Sequence, residues 1–209
     1  VFNRLSCLVL MVVLPEMVAC NFNTPAQVPV SQGSVSRVDL SGDIQSKGKL
    51  DVSFESDGHI LSGMVMLPST TSARMPAVIF LPGSGGSSSY SSNYKNFLAY
   101  FLESYRDTLG LVLMYFDKRG VGKSQGKWYD TDFEERALDA RNAARFLATL
   151  PFVDKQQIYL VGHSQGCWIL QICLSLYPDV FAGGISIAGA TFGVEKQLIN
   201  DYMTEYRCS

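Results

Sequence analysis

The feature that most constrains this sequence is the pentapeptide at residues 162–166, Gly-His-Ser-Gln-Gly, which places Ser164 between Gly162 and Gly166. It follows a continuous apolar run at 158–161 and opens a helical pattern over 165–177. A serine on a sharp turn from strand to helix is exposed and strained, and glycines two positions away on either side leave room for the bend. The helix start offers N–H groups and a positive dipole end to an anion. The pattern predicts a nucleophilic serine, with an ordinary Gly-Ser turn as the structural alternative.

Alternating and continuous apolar runs predict the strands of the domain. Two alternating runs, at 50–54 and 61–67, flank Asp57 and Gly58 and predict a β-hairpin. Continuous apolar runs, which are typical of strands buried on both faces, lie at 77–81, 111–116, 158–161 and, more weakly, 184–188. The predicted strands are therefore mostly of the kind found inside a parallel sheet.

Two helices are predicted between these strands. Apolar residues recur at helical spacing over 132–149, where Thr131 and Glu134 form a possible capping box and Pro151 follows the end. The second helix, over 165–177, stops before Pro178. Helices alternating with buried strands predict an α/β fold, with a mostly parallel sheet flanked by helices.

A glycine-rich segment at residues 81–87, Leu-Pro-Gly-Ser-Gly-Gly-Ser, directly follows the first buried strand. Its glycines, including Gly83 and Gly85, let a backbone approach a bound group closely. An ordinary flexible turn is the alternative for this segment.

The segment 117–124, Asp-Lys-Arg-Gly-Val-Gly-Lys-Ser, ends like a phosphate-binding P-loop. A P-loop that ended at Ser124 would need glycine where Asp117 stands, and a helix would have to begin at once. No amphipathic helical pattern begins directly after Ser124. Nucleotide binding is therefore not predicted.

The three motifs, in this order and at these intervals, resemble the α/β-hydrolase superfamily over residues 49–209. The family's turn pattern D-x-R-G-x-G-x-S corresponds here to Asp117, Arg119, Gly120, Gly122 and Ser124. The hairpin before the first motif resembles the branch of serine esterases, acyl peptidases and dienelactone hydrolases. The resemblance implies an α/β-hydrolase fold that lacks its last strands within this sequence.

The resemblance also implies a mechanism. Ser164 would attack the carbonyl of a small-molecule ester, thioester or peptide substrate and form an acyl-enzyme, without a metal or an organic cofactor. The oxyanion would bind to backbone N–H groups of Ser84, with Gly85 as the adjacent candidate, and of Gln165.

The catalytic base that such a serine needs is not apparent in this sequence. In the family the acid and then the histidine follow the serine along the chain, but the histidines here are His59 and His163. Neither matches a triad position, and Glu195 and Asp201 fall where a cap begins, near 190–209. We therefore expect the acid and base beyond residue 209; the alternative is a non-catalytic truncated lipoprotein or binding remnant.

Composition excludes several other classes of protein. The 209 residues include 17 basic and 19 acidic ones without a block of like charge, so a nucleic-acid partner is not expected. The 5 cysteines lack paired short spacings, which argues against a zinc site and a disulfide scaffold. Cys167 and Cys173 are expected in the core.

The N-terminal residues predict export. Residues 1–19 have a basic residue and then a short apolar run, as in a signal peptide. The segment that ends at Cys20 resembles the lipobox of bacterial lipoproteins, which implies a lipid on this cysteine. Residues 20–48 are then a flexible tether and 49–209 the hydrolase domain, in a protein anchored to the bacterial envelope or secreted or periplasmic. A plain cleaved signal or a buried first strand are the alternatives.

One group of aromatic residues has two interpretations. The group consists of Tyr90, Tyr94, Trp128 and Tyr129. These side chains either line a pocket for an acyl or aryl group or cover the hydrophobic core.

Overall fold

The computed structural model describes residues 10–13, 48–70, 74–88, 92–189, 193–196 and 199. The strands are β1 (Leu10–Val13), β2 (Lys49–Ser56), β3 (His59–Met66), β4 (Met75–Leu81), β5 (Val112–Phe116), β6 (Val153–His163) and β7 (Gly183–Ile187). The helices are α1 (Ser92–Leu98), α2 (Ser104–Leu109), α3 (Phe133–Leu147) and α4 (Gly166–Leu176). A π-helical segment, Ala99–Glu103, joins α1 to α2, and a 3-10 turn spans Trp128–Asp130.

The strands form one mixed sheet in the order β1-β7-β6-β4-β5-β3-β2. Its centre, β7-β6-β4-β5, is parallel, whereas β1, β2 and β3 pair antiparallel with their neighbours. The predicted fold class, a mostly parallel sheet flanked by helices, is confirmed. Because parallel strands end at the same edge, the segments that follow β4, β5 and β6 all lie along one rim of the sheet.

The predicted β-hairpin is formed by β2 and β3. Its turn residues, Asp57 and Gly58, both have positive φ angles, 49° and 75°. Two left-handed residues in a two-residue loop match the right-handed twist of the paired strands. The register that results pairs Ser56 with His59 at the turn.

Helices cover both faces of the sheet. On one face α3 and α4 pack through small and branched side chains, and the alanines of α3 at 137, 140, 143 and 144 are buried in that core. On the other face, Leu98 and Leu102 of the α1–α2 segment pack against a cluster that contains Phe80 and Tyr115. Sequence patterning did not predict the α1–α2 segment. The π-helical turn interrupts its regular 3.6-residue repeat.

The start of α3 corrects one prediction. The capping box joins Asp132 and Glu135, not Thr131 and Glu134: Asp132 accepts from Glu135 N–H at 2.8 Å, and Glu135 accepts from Asp132 N–H at 2.8 Å. The Thr131 hydroxyl instead donates to Lys127 O at 2.7 Å. The carboxylate of Asp132 is a stronger acceptor at a positive helix end than a hydroxyl is.

The two ends of the sequence are described only in part. Residues 10–13, inside the apolar run interpreted as a signal peptide, form β1 and pair antiparallel with β7. Cys20, most of the predicted tether and most of the predicted cap lie outside the described residues. In the part of the chain that the structure describes, none of the helices is long and apolar enough to span a bilayer.

Candidate active site

Ser164 lies on the turn between β6 and α4. Its φ angle is +53°, in the left-handed region that a serine rarely adopts, as the turn motif predicts. Its N–H donates to Ile187 O at the end of β7, at 3.1 Å, and its carbonyl accepts from Cys167 N–H at 3.0 Å. These bonds fix a strained backbone at the carboxyl edge of the sheet, where Ser164 remains partly exposed.

Close backbone contacts explain the two glycines that flank this turn. A Cβ atom on Gly162 would lie 2.6 Å from Gly166 O. A Cβ atom on Gly166 would overlap Leu81 O, at the end of β4. The turn therefore presses directly on the central strand, and only glycine fits at either position.

The segment after β4, residues 82–86, lies against Ser164, and we call it the candidate oxyanion loop. A Cβ atom on Gly83 would lie 3.2 Å from Ser164 Cβ. The Gly83 N–H donates to the hydroxyl of Tyr94 at 2.9 Å, so this amide is occupied. Within the described residues, the N–H groups of Ser84 and Gln165 have no acceptor. Gly85 follows with φ +82°.

Two buried cations hold this loop from below, and sequence reasoning did not single out either one. Lys118 Nζ donates to Gly83 O at 2.9 Å and also to Gly85 O. Arg136, on α3, donates through Nη2 to Pro82 O at 3.1 Å and through Nη1 to Gln165 Oε1 at 2.5 Å. The sequence did contain a signal for Arg136, because this charged residue stands next to the alanines that form the apolar face of α3.

Burial changes the acidity of both cations. Burial, helped by the charge of Arg136 and opposed by Asp117, lowers the pKa of Lys118 to about 8. Burial likewise lowers the pKa of Arg136 to about 10, although Asp139 opposes the change. Arg136 is therefore charged at neutral pH, and Lys118 begins to lose its proton just above it.

The turn after β5 contains the remaining motif residues, and its contacts are structural. The Ser124 hydroxyl donates to Asp117 O at 2.8 Å and accepts from Ser62 N–H at 2.9 Å, which ties the turn to β3. Asp117 Oδ1 accepts from the Ser88 hydroxyl at 2.6 Å. Gly122 packs on the Asp117 side chain, and a Cβ atom on Gly120 would lie 2.6 Å from Gly126 O.

Arg119, from the same turn, is buried beside α3. Its Nη2 lies 2.9 Å from Asp139 Oδ1 and its Nε 3.1 Å from Asp139 Oδ2. The Ser56 hydroxyl of β2 also donates to Asp139, at 2.5 Å. The arginine of the turn motif therefore anchors the turn to α3 and, through Asp57, to the hairpin.

Among the described residues, neither histidine forms a hydrogen bond with Ser164, and both contact other groups. The His163 ring packs on Phe97, with centroids 4.8 Å apart, and its Nδ1 lies 3.4 Å from the Tyr94 hydroxyl. Burial lowers the pKa of His163, so the ring is neutral at pH 7. His59 Nδ1 is 3.0 Å from Asp57 O at the hairpin turn.

Tyr94 and Trp128, two of the aromatic residues expected either to line a pocket or to cover the core, lie near the candidate oxyanion loop. Tyr94 contacts Phe80 and His163 in the core as well as Gly83. A Cβ atom on Gly86 would lie 2.7 Å from Trp128 Nε1, so the exposed Trp128 borders the candidate oxyanion loop. Among the described residues, no group of three or more His, Cys, Asp or Glu side chains could hold a metal ion.

The fold and the turn motifs together define a class of protein. The profile of the alpha/beta hydrolase fold family matches residues 76–205, well over half of the sequence, and the chain belongs to this family.

The chain is also similar to three individual proteins. A rat (Rattus norvegicus) protein, mitochondrial palmitoyl-protein thioesterase ABHD10, is 30% identical over 135 residues, which cover 63% of this chain and 41% of the relative. Poly(3-hydroxyalkanoate) depolymerase C of Paucimonas lemoignei is 23% identical, over 60% of this chain and 30% of its own. The crystal structure of the alpha/beta hydrolase GrgF from Penicillium sp. sh18 has a TM-score of 0.56 and 25% identity, covering 77% of this chain and 54% of that one. The chain thus spans less than half the length of these two curated relatives.

Proposed function

We propose that this chain carries the nucleophile and oxyanion site of a serine hydrolase that cleaves ester, thioester or peptide-type acyl bonds. The observation that carries the proposal is the turn at Ser164. There a strained serine lies at the carboxyl edge of a parallel sheet, with Gly83 of the candidate oxyanion loop packed directly on its side chain. Such strain persists only where the surrounding structure enforces it, and it is concentrated at functional sites.

The proposed reaction uses this arrangement in four steps. The Ser164 hydroxyl gives its proton to a base while its oxygen bonds to the substrate carbonyl carbon. The carbonyl oxygen becomes an oxyanion, which accepts hydrogen bonds from the N–H groups of Ser84 and Gln165. When the tetrahedral intermediate collapses, the bond to the alcohol, thiol or amine breaks, and the leaving group takes the proton. Water then attacks the acyl-enzyme in the same way and releases the acid.

We place the base and acid of this reaction beyond residue 209. No histidine follows Ser164 in the 209 residues, and His163 and His59 are engaged with other groups. The family order of serine, acid and histidine supports this placement, as does the fact that the chain covers 41% of its rat relative.

The acyl class of substrate is supported by the two curated relatives. One is named as a palmitoyl-protein thioesterase and the other as a poly(3-hydroxyalkanoate) depolymerase. Each name refers to a substrate that contains an acyl group, which fits an attack by serine on a carbonyl carbon. Metals and organic cofactors have no role in the proposed steps.

A serine-directed fluorophosphonate probe and p-nitrophenyl ester hydrolysis test the proposal on the full-length gene product. Ser164→Ala should abolish labelling and lower kcat by at least about 10³-fold, because the covalent route is lost. Ser175→Ala is the matched control, since Ser175 is an exposed serine on α4. Equal labelling of the wild type and Ser164→Ala would mean that Ser164 is not the nucleophile. A wild type that shows neither labelling nor hydrolysis would favour the non-catalytic binding remnant instead.

We also propose export and lipid attachment at Cys20, on the sequence pattern of residues 1–20. Metabolic labelling with a fatty-acid analogue should mark the wild type, and Cys20→Ser should lose the label while Cys7→Ser keeps it. A label that survives Cys20→Ser contradicts lipidation at this residue.

A further inference from the structure

Lys118 is an ammonium group buried beneath the candidate oxyanion loop. Its side chain is 8% exposed, and a buried charge is costly unless hydrogen bonds compensate for the lost water. The compensation comes from one short segment, because Nζ donates to the carbonyls of both Gly83 and Gly85. A cation that uses two carbonyls of the same loop restricts the orientation of two peptide groups at once.

Peptide geometry then sets the direction of the N–H groups. No described peptide bond is cis, and in a trans peptide the C=O and the following N–H point in opposite directions. With Gly83 O directed at Lys118, the N–H of Ser84 points away from the ammonium. The Gly85 carbonyl orients the N–H of Gly86 in the same manner.

The Ser84 N–H is oriented by Lys118, is available, and belongs to the peptide that adjoins the nucleophile. Gly83 N–H is already bonded to Tyr94, whereas Ser84 N–H has no acceptor among the described residues. The loop packs on Ser164 through Gly83. Lys118 therefore acts on the peptide unit that adjoins the nucleophile.

We propose that Lys118 is a positioning residue for catalysis, which holds the Gly83–Ser84 peptide so that its N–H faces the oxyanion and which polarises that N–H through the bonded carbonyl. This rests on the proposed function, since it assigns Lys118 a role in the same oxyanion site. A hydrogen bond to a carbonyl from a charged donor strengthens the N–H of the same peptide as a donor.

The charges around Lys118 make its contribution dependent on pH. Arg136 and Asp139 face it from α3, and Asp117 adjoins it on its own turn, while β4 and α4 contribute the apolar Leu81 and Ile169. The pKa of Lys118 is about 8 and that of Arg136 about 10. The ammonium form is therefore present below about pH 8 and is lost as the pH rises through that value. Hydrolysis should weaken over the same interval.

The first experiment measures kcat and KM for p-nitrophenyl acetate from about pH 6 to about pH 9.5. Lys118→Met should lower kcat at pH 7 by about tenfold, with little change in KM. This loss is smaller than the roughly 10²–10³-fold loss of kcat that follows deletion of an oxyanion donor. The wild-type kcat should fall above about pH 8, and this fall should be missing in Lys118→Met. Lys118→Arg, which keeps a cation, should recover part of kcat and also lose the fall.

Lys123→Met is the matched control, because Lys123 is an exposed lysine on the same turn. It should retain the wild-type kcat and pH profile. If Lys118→Met behaves like Lys123→Met, the proposal is wrong.

A second measurement decides the matter without catalysis. Amide hydrogen exchange in the peptide that contains residues 83–86 should be about tenfold faster in Lys118→Met than in Lys123→Met, because the loop loses two of its restraints. Lys118→Gln serves if Lys118→Met does not fold. Unchanged exchange in a folded variant overturns the positioning role, whereas failure of the proposed function appears separately, as hydrolysis that Ser164→Ala does not affect.

Discussion

Arg136 connects the two segments from which we propose the oxyanion donors come. Its Nη1 lies 2.5 Å from Gln165 Oε1, in the residue after Ser164, and its Nη2 lies 3.1 Å from Pro82 O, at the base of the candidate oxyanion loop. One planar guanidinium with donors on two sides can fix the distance between both segments. α3, which is remote from the serine in sequence, thereby contributes to the geometry of the site.

Substitution of Arg136 should lower both the activity and the stability of the protein. We expect Arg136→Met to reduce kcat by about tenfold to a hundredfold, because the Gln165 and loop amides lose their common restraint. The melting temperature should fall in line with a loss of about 1–3 kcal/mol, because Pro82 O and Gln165 Oε1 lose their donor. Steady-state kinetics and thermal unfolding together check this expectation. Arg145→Met, at an exposed position of the same helix, is the control, and equal kcat values for the two variants would contradict the linking role.

The capping box at α3 predicts a difference between neighbouring residues. Asp132→Ala should destabilise the protein by about 1 kcal/mol, as expected when a side-chain N-cap is removed. Thr131→Ala should cost much less, because the Thr131 hydroxyl bonds only to Lys127 O at an exposed position. Urea unfolding measures both free energies. A larger loss of unfolding free energy for Thr131→Ala than for Asp132→Ala would mean that Thr131 caps the helix, as the sequence pattern indicated.

Local patterns in the sequence predicted the hairpin, the buried strands and the turn at Ser164. They also marked the two glycine-containing segments that follow β4 and β5. Each depends on neighbouring residues, such as Asp57 and Gly58 at the hairpin turn or the glycines around the serine. Lys118 and Arg136 could not be placed in this way. Lys118 contacts carbonyls 33 and 35 residues earlier, and that contact exists only because β4 and β5 are parallel neighbours with ends at one rim.

The capping residue was misplaced by one position for a similar reason. Both Thr131 and Asp132 have a glutamate three residues later, so spacing alone allows either cap. The preceding 3-10 turn, Trp128–Asp130, leaves the Thr131 hydroxyl bonded to Lys127 O. Asp132 is then the residue at the helix start with an unoccupied acceptor.

The buried pair of Arg119 and Asp139 predicts strong coupling in a double-mutant cycle. Asp139→Ala should destabilise the protein by about 3–5 kcal/mol, because it leaves the Arg119 charge buried with weaker partners. Arg119→Met combined with Asp139→Ala should cost less than the sum of the two single changes, since neither charge is then left alone. Chemical unfolding of the four proteins gives the coupling energy. Additive losses would mean that Asp57 and Glu135, which also lie near Arg119, replace Asp139.

The strained backbone of Ser164 predicts a gain of stability where activity is lost. A non-glycine residue in the left-handed region costs about 1–3 kcal/mol, and a glycine adds about 0.5–1 kcal/mol of unfolded-chain entropy. Ser164→Gly should therefore stabilise the protein by about 1 kcal/mol, as the difference between these effects.

Ser164→Ala is the matched control for this gain, because it removes the same hydroxyl and keeps the φ angle of +53°. Both variants should be inactive, but only the glycine should raise the free energy of unfolding. If both change stability equally, the hydroxyl and not the backbone is responsible. If the glycine alone is more stable, then the fold maintains an unfavourable conformation at the residue that we assign to the chemistry, and the turn is better suited to presenting a nucleophile than to stabilising the domain.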